Sequence, residues 1–522
     1  MDYKSSRYFL IFFIAVSAAF FVGTLVVTIP SAGDVYVSPD ETANAFFTRR
    51  FSKTGLFSVS DSLNSELGDA FHPRSTIARG GLLMPGSFLG LPALYGAIIF
   101  VFGDWILPLL TPIIAIFSAL AFRRVLSVFF SQKVSDVSTI LFLMHPAIWY
   151  YSSRSLMHNV LFVSLLIFAA YFFFFQNPAP KTQNLLISGF LIGLSLFVRA
   201  SEIFWVFAIV FLLALFQAKK IGKKKIAVFF IGIFVGLLPF FYFNAVTYGH
   251  PLTTGYTSEV LTEGFIAQEQ ATQLTILFPF GINVRSVANH VSNYGVILFW
   301  WLSVLALVGI PIVFSRFRNF VFLFIAISIW LGLWYGSWTL FDNPDSTQIT
   351  IANSYVRYWL PIFVLSIPFV SEAIVWISDK GRTRFARSLF LSSIIVLVIG
   401  LNVRIVFFEG QDSLTKVSDE LLESRQIKKE VLAITTPDSV IVVDRGDKLF
   451  FPERRVRYPL RSEFTYSLMP KIASTTPLFY YGITFPQSDL DYLNNSKLKN
   501  LGLQIEPIQT FNEETLYKIF IP

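Results

Sequence analysis

The chain has 522 residues, 54% of them hydrophobic and 14% charged, with 59 Phe and a mean hydropathy of +0.61, whereas soluble domains run at roughly 45 to 50% apolar. This is the composition of an integral membrane protein. The lack of cysteine excludes disulfide frameworks, thiolate metal sites and cysteine nucleophiles, and the formal charge of +8 follows loop position rather than marking a nucleic-acid surface.

Behind Lys4 and Arg7, the run from 8 to 29 holds about the 20 apolar residues that a spanning helix needs and is long for a signal-peptide core. It reads as an uncleaved signal anchor. Beyond it comes YVSPDETANAFFTRRF at 36 to 51, where Asp40 and Glu41 stand side by side, followed by Asn44, Arg49, Arg50 and Lys53. A helix is expected over 40 to 53, with Pro39 at its start and both acids in the first turn, where they suit the helix dipole. The pair therefore reads both as a good helix start and as carboxylates available for chemistry.

A short run at 86 to 102 carries Gly86, Gly90, Pro92 and Gly96, and only Gly103 and Asp104 separate it from the next apolar run. Longer runs follow near 105 to 122, 137 to 151, 156 to 175, 185 to 199, 202 to 216, 226 to 246, 294 to 314, 319 to 340, 357 to 377 and 388 to 407. Lys and Arg in short loops favour the cytoplasm. If 86 to 102 does not cross, 17 Lys and Arg, among them the five lysines of KKIGKKK, fall inside, against Arg154, Arg199, Arg285, Arg357 and Arg404 in short outer segments. If it crosses, the bias reverses. The expectation is thus a polytopic α-helical protein of about eleven transmembrane helices in the cell membrane, its N-terminus cytoplasmic, with 86 to 102 skimming the outer surface. Residues 30 to 104, 247 to 293 and the tail from 408 then lie outside.

Ionisable groups at the ends of apolar spans default to functional candidates. In HPAIWYYSSRSLMHN, Arg154 and His158 are four residues apart, on one helical face, and Asn159 follows; a snorkelling interfacial Arg is the plain alternative. In LIGLSLFVRASEIFW, Arg199 and Glu202 stand at i and i+3, where they would neutralise each other across a tight turn or serve a ligand. The loop with His250, Tyr256, Glu259 and Glu263 would cover a site or select an acceptor, although TYGHPLTTGY also reads as a turn. In SYVRYWLPI, Tyr355, Tyr358 and Trp359 read as interfacial belt residues, while Arg357 stands on the side that the positive bias avoids. Carboxylates and arginines gathered outside suit an anionic lipid headgroup at the membrane surface.

From 408 the chain turns polar, and helices (SLTKVSDELLESRQIKKEVLAI, SEFTYSLMPKIAS, SDLDYLNNSKLKN) alternate with strands (SVIVVD, a short one near RRVRYPL, TPLFYYGITF and a final pair). That order predicts a small C-terminal α/β extracytoplasmic domain over 408 to 522 after a membrane domain over 1 to 407. It holds no glycine-rich nucleotide loop, and Arg445, Gly446 and Asp447 read as a chance turn.

An Asp-Glu pair in the first outer loop, a long helical array and a soluble tail resemble the GT-C superfamily of polyprenyl-phosphate-sugar-dependent glycosyltransferases, above all its protein mannosyltransferase and aminoarabinose transferase branch. Further echoes are PAIWYYSSRSLMHN, GFLIGLSLFVRASE, NAVTYGHPLTTGY and RYWLP. The resemblance implies transfer of a sugar from a polyprenyl-phosphate donor to a glycan, lipid or protein acceptor on the extracytoplasmic face. It casts Asp40 as catalytic base with Glu41 as partner, and eleven spans with juxtamembrane helices in the first outer loop are found among members. Arg154, Arg199 and Arg357 become candidates for the donor phosphate, and His158, Asn159 and Tyr256 for auxiliary or acceptor contacts. No cofactor is required, but a divalent cation on Asp40 or Glu41 is admitted. Where members have a second acid after an Arg, this chain has Asn159, and that departure weighs against a two-carboxylate or metal-bridged mechanism. The alternative is a polytopic transporter or lipid flippase, against which stand the lack of an internal repeat and the siting of the charges at outer helix ends.

The orientation is testable: an accessibility tag at Ser131 is expected to report the cytoplasm, and labelling from outside would overturn the eleven-span arrangement.

Overall fold

The computed structural model describes residues 3–174, 181–262, 281–340 and 348–522. All eleven apolar runs fall on helix, several of them broken. Among the described residues, six helices are long and apolar enough to cross a membrane, and up to nine spans result if each of three bent helix pairs is one span. The pairs bend by 119° between Pro146–Ser153 and His158–Phe174, by 117° between Thr182–Val198 and Ala200–Phe216, and by 92° between Val284–Ile297 and Trp300–Arg316. The skimming run at 86 to 102 forms the helix Gly90–Phe102. At 1.5 Å per residue it is about 20 Å long, short of the roughly 30 Å hydrocarbon core. Its end exposes Phe100, Val101 and Phe102, with Trp105 just beyond, as an interfacial helix would.

Two compact units make up the chain. The first comprises Met1–Val27, Pro108–Phe240 and Ile266–Val417. Its central helix, Leu360–Ser378, packs against Trp300–Arg316, Gln132–Met144 and Arg384–Phe407. Small residues permit the closest approaches: a Cβ on Gly309 would fall inside the Phe369 carbonyl. The same holds where Thr182–Val198 meets Lys223–Tyr248. Gly189 and Gly193 on one helix, Gly232 and Gly236 on the other, each lie against backbone of the opposite helix, so two GxxxG faces meet. Some buried polar side chains inside this unit pair with one another or with backbone. Asn402 donates to the Met144 carbonyl at 2.9 Å and accepts from Trp301 Nε1 at 2.8 Å, and Ser138 Oγ donates to Ser371 Oγ at 2.8 Å.

The second unit comprises Thr28–Leu107, Phe241–Phe265 and Ser418–Pro522. The tail follows the expected alternation. Strands β4 (Val440–Val443), β5 (Arg455–Arg457), β6 (Leu478–Ile483), β7 (Gln504–Phe511) and β8 (Glu514–Phe520) form one sheet in the order β5-β4-β6-β8-β7. β4 runs parallel to both neighbours, while β8 runs antiparallel to β6 and β7. The helix expected over 488 to 500 is a single turn and a half, Gln487–Tyr492, continued by a π turn and a 3-10 turn.

The compact units cut the chain differently from the expected boundary at 407/408, because the polar segment after the first apolar run shares the tail's core. Leu63, Leu67, Ala70 and Phe71 pack with Val440, Val442, Tyr480 and Tyr517 in one apolar cluster. Polar ties follow the same route: Arg455 Nε to Asp61 at 2.8 Å, Lys428 to Asp34 at 2.8 Å and Arg457 Nη1 to the Ala70 carbonyl at 3.0 Å. A small antiparallel sheet in the loop joins β1 (Val59–Ser60), β3 (Leu82–Pro85) and β2 (Thr76–Arg79) in that order.

Replacing Gly193 by Leu would drive a side chain into backbone, and overpacking of this kind typically costs about 1 to 3 kcal/mol. A lowered midpoint of thermal unfolding in detergent is the expected result; an unchanged midpoint would contradict the close helix contact.

Candidate functional site

In the second unit the two acids have separate fates. The helix Pro39–Thr54 opens with a capping box, in which the Ser38 side chain accepts from the Glu41 N–H and the Glu41 carboxylate accepts from the Ser38 N–H at 3.0 Å. The same Oε2 accepts from Ser38 Oγ at 3.1 Å, and Glu41 is buried. Its carboxylate is bound back onto the helix end. Asp40, one residue earlier and half-buried, is turned about 100° around the helix from Glu41. Its Oδ1 accepts a hydrogen bond from Ser75 Oγ at 2.5 Å. Nothing in the sequence pointed to Ser75, which lies 35 residues away within an unremarkable HPRST.

Basic residues downstream of the acids serve the scaffold. Arg49 donates to Asp104 at 2.9 Å and to the Gly33 carbonyl at 2.8 Å, and Arg50 donates to the Ser58 carbonyl at 3.2 Å. Tyr36 sits beside Arg49; burial pushes its hydroxyl up to about 12, against the opposing pull of the guanidinium. His72 is held below the usual histidine range by burial and by the charge of Arg457. It is therefore neutral at pH 7 and stands as a packing residue edge-on to Tyr458, 6.0 Å between ring centres.

Segment 244 to 256 also belongs to this unit. Tyr248 Oη donates to the Pro85 carbonyl at 2.8 Å, and Gly255 packs so closely on Gly86 and Ser87 that a Cβ there would overlap their backbone. Tyr256 is exposed and meets Phe88 edge-on at 5.0 Å. The His250 ring accepts from the Leu252 N–H at 3.2 Å, which makes it a turn residue. Glu263 lies outside the described residues, and of Glu259 only the helical backbone is described.

In the first unit, Arg357 joins two of the stretches singled out in the sequence. Arg357 and Arg199 lie over the one Tyr358 ring, at 5.1 and 5.0 Å from its centre, and Tyr335 stacks on that ring at 4.4 Å. The Asn159 side-chain amide donates to the Arg357 carbonyl at 3.0 Å, and Arg357 Nη1 reaches Met157 Sδ at 2.9 Å. Arg154 ends the helix Pro146–Ser153, buried, 5.9 Å from its own Tyr150 ring, and the buried His158 opens the next helix. Tyr355 and Trp359 are not belt residues. Both are buried, Tyr355 stacked on His290 at 4.3 Å and Trp359 donating to the Leu331 carbonyl at 3.0 Å. Aromatics next to an Arg in SYVRYWLP were a signal of protein packing, which a belt reading hid.

Arg199 is engaged as the plain reading had it. Its Nε and Nη2 donate to Glu202 Oε1 at 3.1 and 2.8 Å. Tyr335 Oη bridges the two, accepting from Arg199 at 2.8 Å and donating to Glu202 at 2.5 Å, while Trp205 Nε1 donates to the other oxygen at 2.6 Å. The ion pair is fully buried.

Glu41 is folded onto its own helix cap, and among the described residues no group of three or more His, Cys, Asp or Glu side chains is placed to hold an ion.

No family model matches the chain, and no curated protein does. Among solved structures, ArnT from Cupriavidus metallidurans bound to undecaprenyl phosphate is similar with a TM-score of 0.57 at 11% identity, covering 98% of this chain and 97% of that chain. Its apo state gives a TM-score of 0.59 at 12% identity, with 98% of both chains covered. The apo oligosaccharyltransferase of Archaeoglobus fulgidus gives 0.51 at 10% identity over 92% of this chain and 70% of that chain. The chain therefore shares the fold of these proteins, and among its described residues six helices are long and apolar enough to cross a membrane.

Removing Glu202 alone would leave Arg199 buried without its carboxylate, a loss of about 3 to 5 kcal/mol. Glu202→Ala is expected to lower the thermal midpoint sharply, and the double change Arg199→Met with Glu202→Met to recover most of it. Equal damage in single and double variants would contradict a pairwise ion pair.

Proposed function

We propose that the protein is a membrane glycosyltransferase that moves a sugar from a polyprenyl-phosphate donor to an acceptor hydroxyl on the extracytoplasmic face, with inversion. The observation that carries the reading is the likeness in fold, over 98% of the chain, to ArnT solved with undecaprenyl phosphate. The positive-inside bias supports an eleven-span arrangement with the N-terminus cytoplasmic.

Asp40 is the general base. The acceptor O–H attacks the anomeric carbon, the bond from that carbon to the phosphate oxygen breaks, its electron pair leaves with the polyprenyl phosphate, and the proton passes to the Asp40 carboxylate. A single displacement inverts the anomeric centre. General-base help of this kind contributes about 100- to 10,000-fold. Glu41 supports the base by capping the helix that carries it.

The leaving phosphate gains charge as the bond breaks, so fixed cations favour the transition state over the ground state. Arg154 and Arg357 take this role. Arg199, already neutralised by Glu202, contributes less charge and fixes Tyr358 between itself and Arg357. His158 and Asn159 hold the turn that meets Arg357, and Tyr256, exposed on its helix, is assigned to the acceptor.

Transfer from an undecaprenyl-phosphate sugar should fall about 100-fold or more in Asp40→Asn with the fold and membrane insertion intact. Glu41→Gln, by contrast, should lower thermal stability by about 1 kcal/mol through the weakened cap and reduce transfer far less. Full transfer by Asp40→Asn would sink the assignment of the base.

A further inference from the structure

Both partners of the Asp40–Ser75 hydrogen bond are anchored to the same short helix of the tail, Asp447–Phe450. On the Ser75 side, Asp447 is fully buried and binds the preceding residue three times. It accepts from the Arg74 N–H at 2.8 Å, from Arg74 Nε at 3.0 Å and from Nη2 at 2.5 Å. On the Asp40 side, Lys448 Nζ donates to the Val37 carbonyl at 2.6 Å and the Lys448 carbonyl accepts from Thr42 Oγ1 at 3.5 Å, so the residues flanking Asp40 are held as well. Two segments far apart in sequence are thus referenced to one element before they meet at a carboxylate.

Ser75 itself is held in an uncommon conformation. Its φ of +63° lies in the left-handed region that a serine seldom adopts. Its carbonyl accepts from the Gly86 N–H at 2.9 Å, and a Cβ on Gly86 would come within 2.8 Å of the Ser75 carbonyl carbon. Such a backbone persists only where the surroundings fix it from several sides, and it occurs where a side chain must be aimed.

We propose that Ser75 is the positioning residue for the base, and that the C-terminal tail, through Asp447 and Lys448, holds Ser75 and Asp40 in register. This rests on Asp40 being the base. A donor hydrogen bond to the carboxylate lowers its basicity but confines its orientation, and with it the angle at which it meets the acceptor hydroxyl. The tail then has a catalytic purpose without touching substrate.

The test uses the full-length protein and an undecaprenyl-phosphate sugar that the wild type consumes. Ser75→Gly accepts the backbone conformation freely and removes only the hydroxyl. It should keep the thermal midpoint and the donor KM while kcat falls about 10- to 100-fold, the span of a hydrogen bond to a charged group. The acid limb of its pH profile should also move to higher pH, because the ionised carboxylate has lost a donor. Glu41, Arg74, Asp447 and Lys448, the charged groups on the elements around Asp40, are unchanged in this variant and keep the same electrostatic background. Ser75→Asn, which tolerates the left-handed region and donates through its amide, should restore part of both.

If Asp40→Asn abolishes transfer while Ser75→Gly leaves kcat and the acid limb unchanged, the positioning role is overturned and the base stands. A fall in kcat with an unmoved limb and no recovery in Ser75→Asn also overturns it, as would any plain packing role. Full transfer by Asp40→Asn, or a wild type that consumes no such donor, overturns the base and with it the role of Ser75.

Discussion

An ionised group withdrawn from water must be met by donors or by an opposite charge, since the desolvation penalty amounts to several kcal/mol per ion. That constraint orders the polar parts of both units. Glu202 is met by Arg199, Tyr335 and Trp205; Glu41 by the end of its own helix; Asp447 by three donors of Arg74; Lys428 by Asp34. The Arg74–Asp447 and Asp34–Lys428 pairs also tie together segments hundreds of residues apart.

The same constraint gives the two adjacent carboxylates of the first polar loop different partners. Two adjacent carboxylates on a helix point in different directions, and only one can satisfy the cap. Glu41 occupies that position, with Ser38 supplying both the N–H and the hydroxyl. Asp40 is turned away from the cap and accepts a short hydrogen bond from Ser75.

Much of the architecture was readable from periodicity and punctuation. Pro39 and the two acids marked the start of the helix Pro39–Thr54, the apolar runs marked the bundle helices, and the tail's alternation of helices and strands formed as expected. What escaped reading were pairings between distant residues. Ser75 carries no local sign of its left-handed backbone or of its bond to Asp40, and the Arg445-Gly446-Asp447 turn looked accidental because Arg74, 373 residues from Asp447, gives it meaning. The boundary at 407/408 followed a change in composition, but Leu63, Leu67 and Phe71 lie in a polar loop and supply apolar surface to the tail. Gly189, Gly193, Gly232 and Gly236 stand at GxxxG spacings that went unread in the sequence, and their mutual contact depends on the fold.

Sugar transfer itself is tested most directly by incubating the purified, reconstituted protein with a panel of undecaprenyl-phosphate sugars labelled in the sugar, together with candidate acceptors. One donor should be consumed, with free undecaprenyl phosphate released and the label recovered on an acceptor hydroxyl in inverted anomeric configuration. Label that crosses the bilayer still attached to its lipid, with no donor cleaved, would contradict glycosyl transfer and establish a transporter in its place.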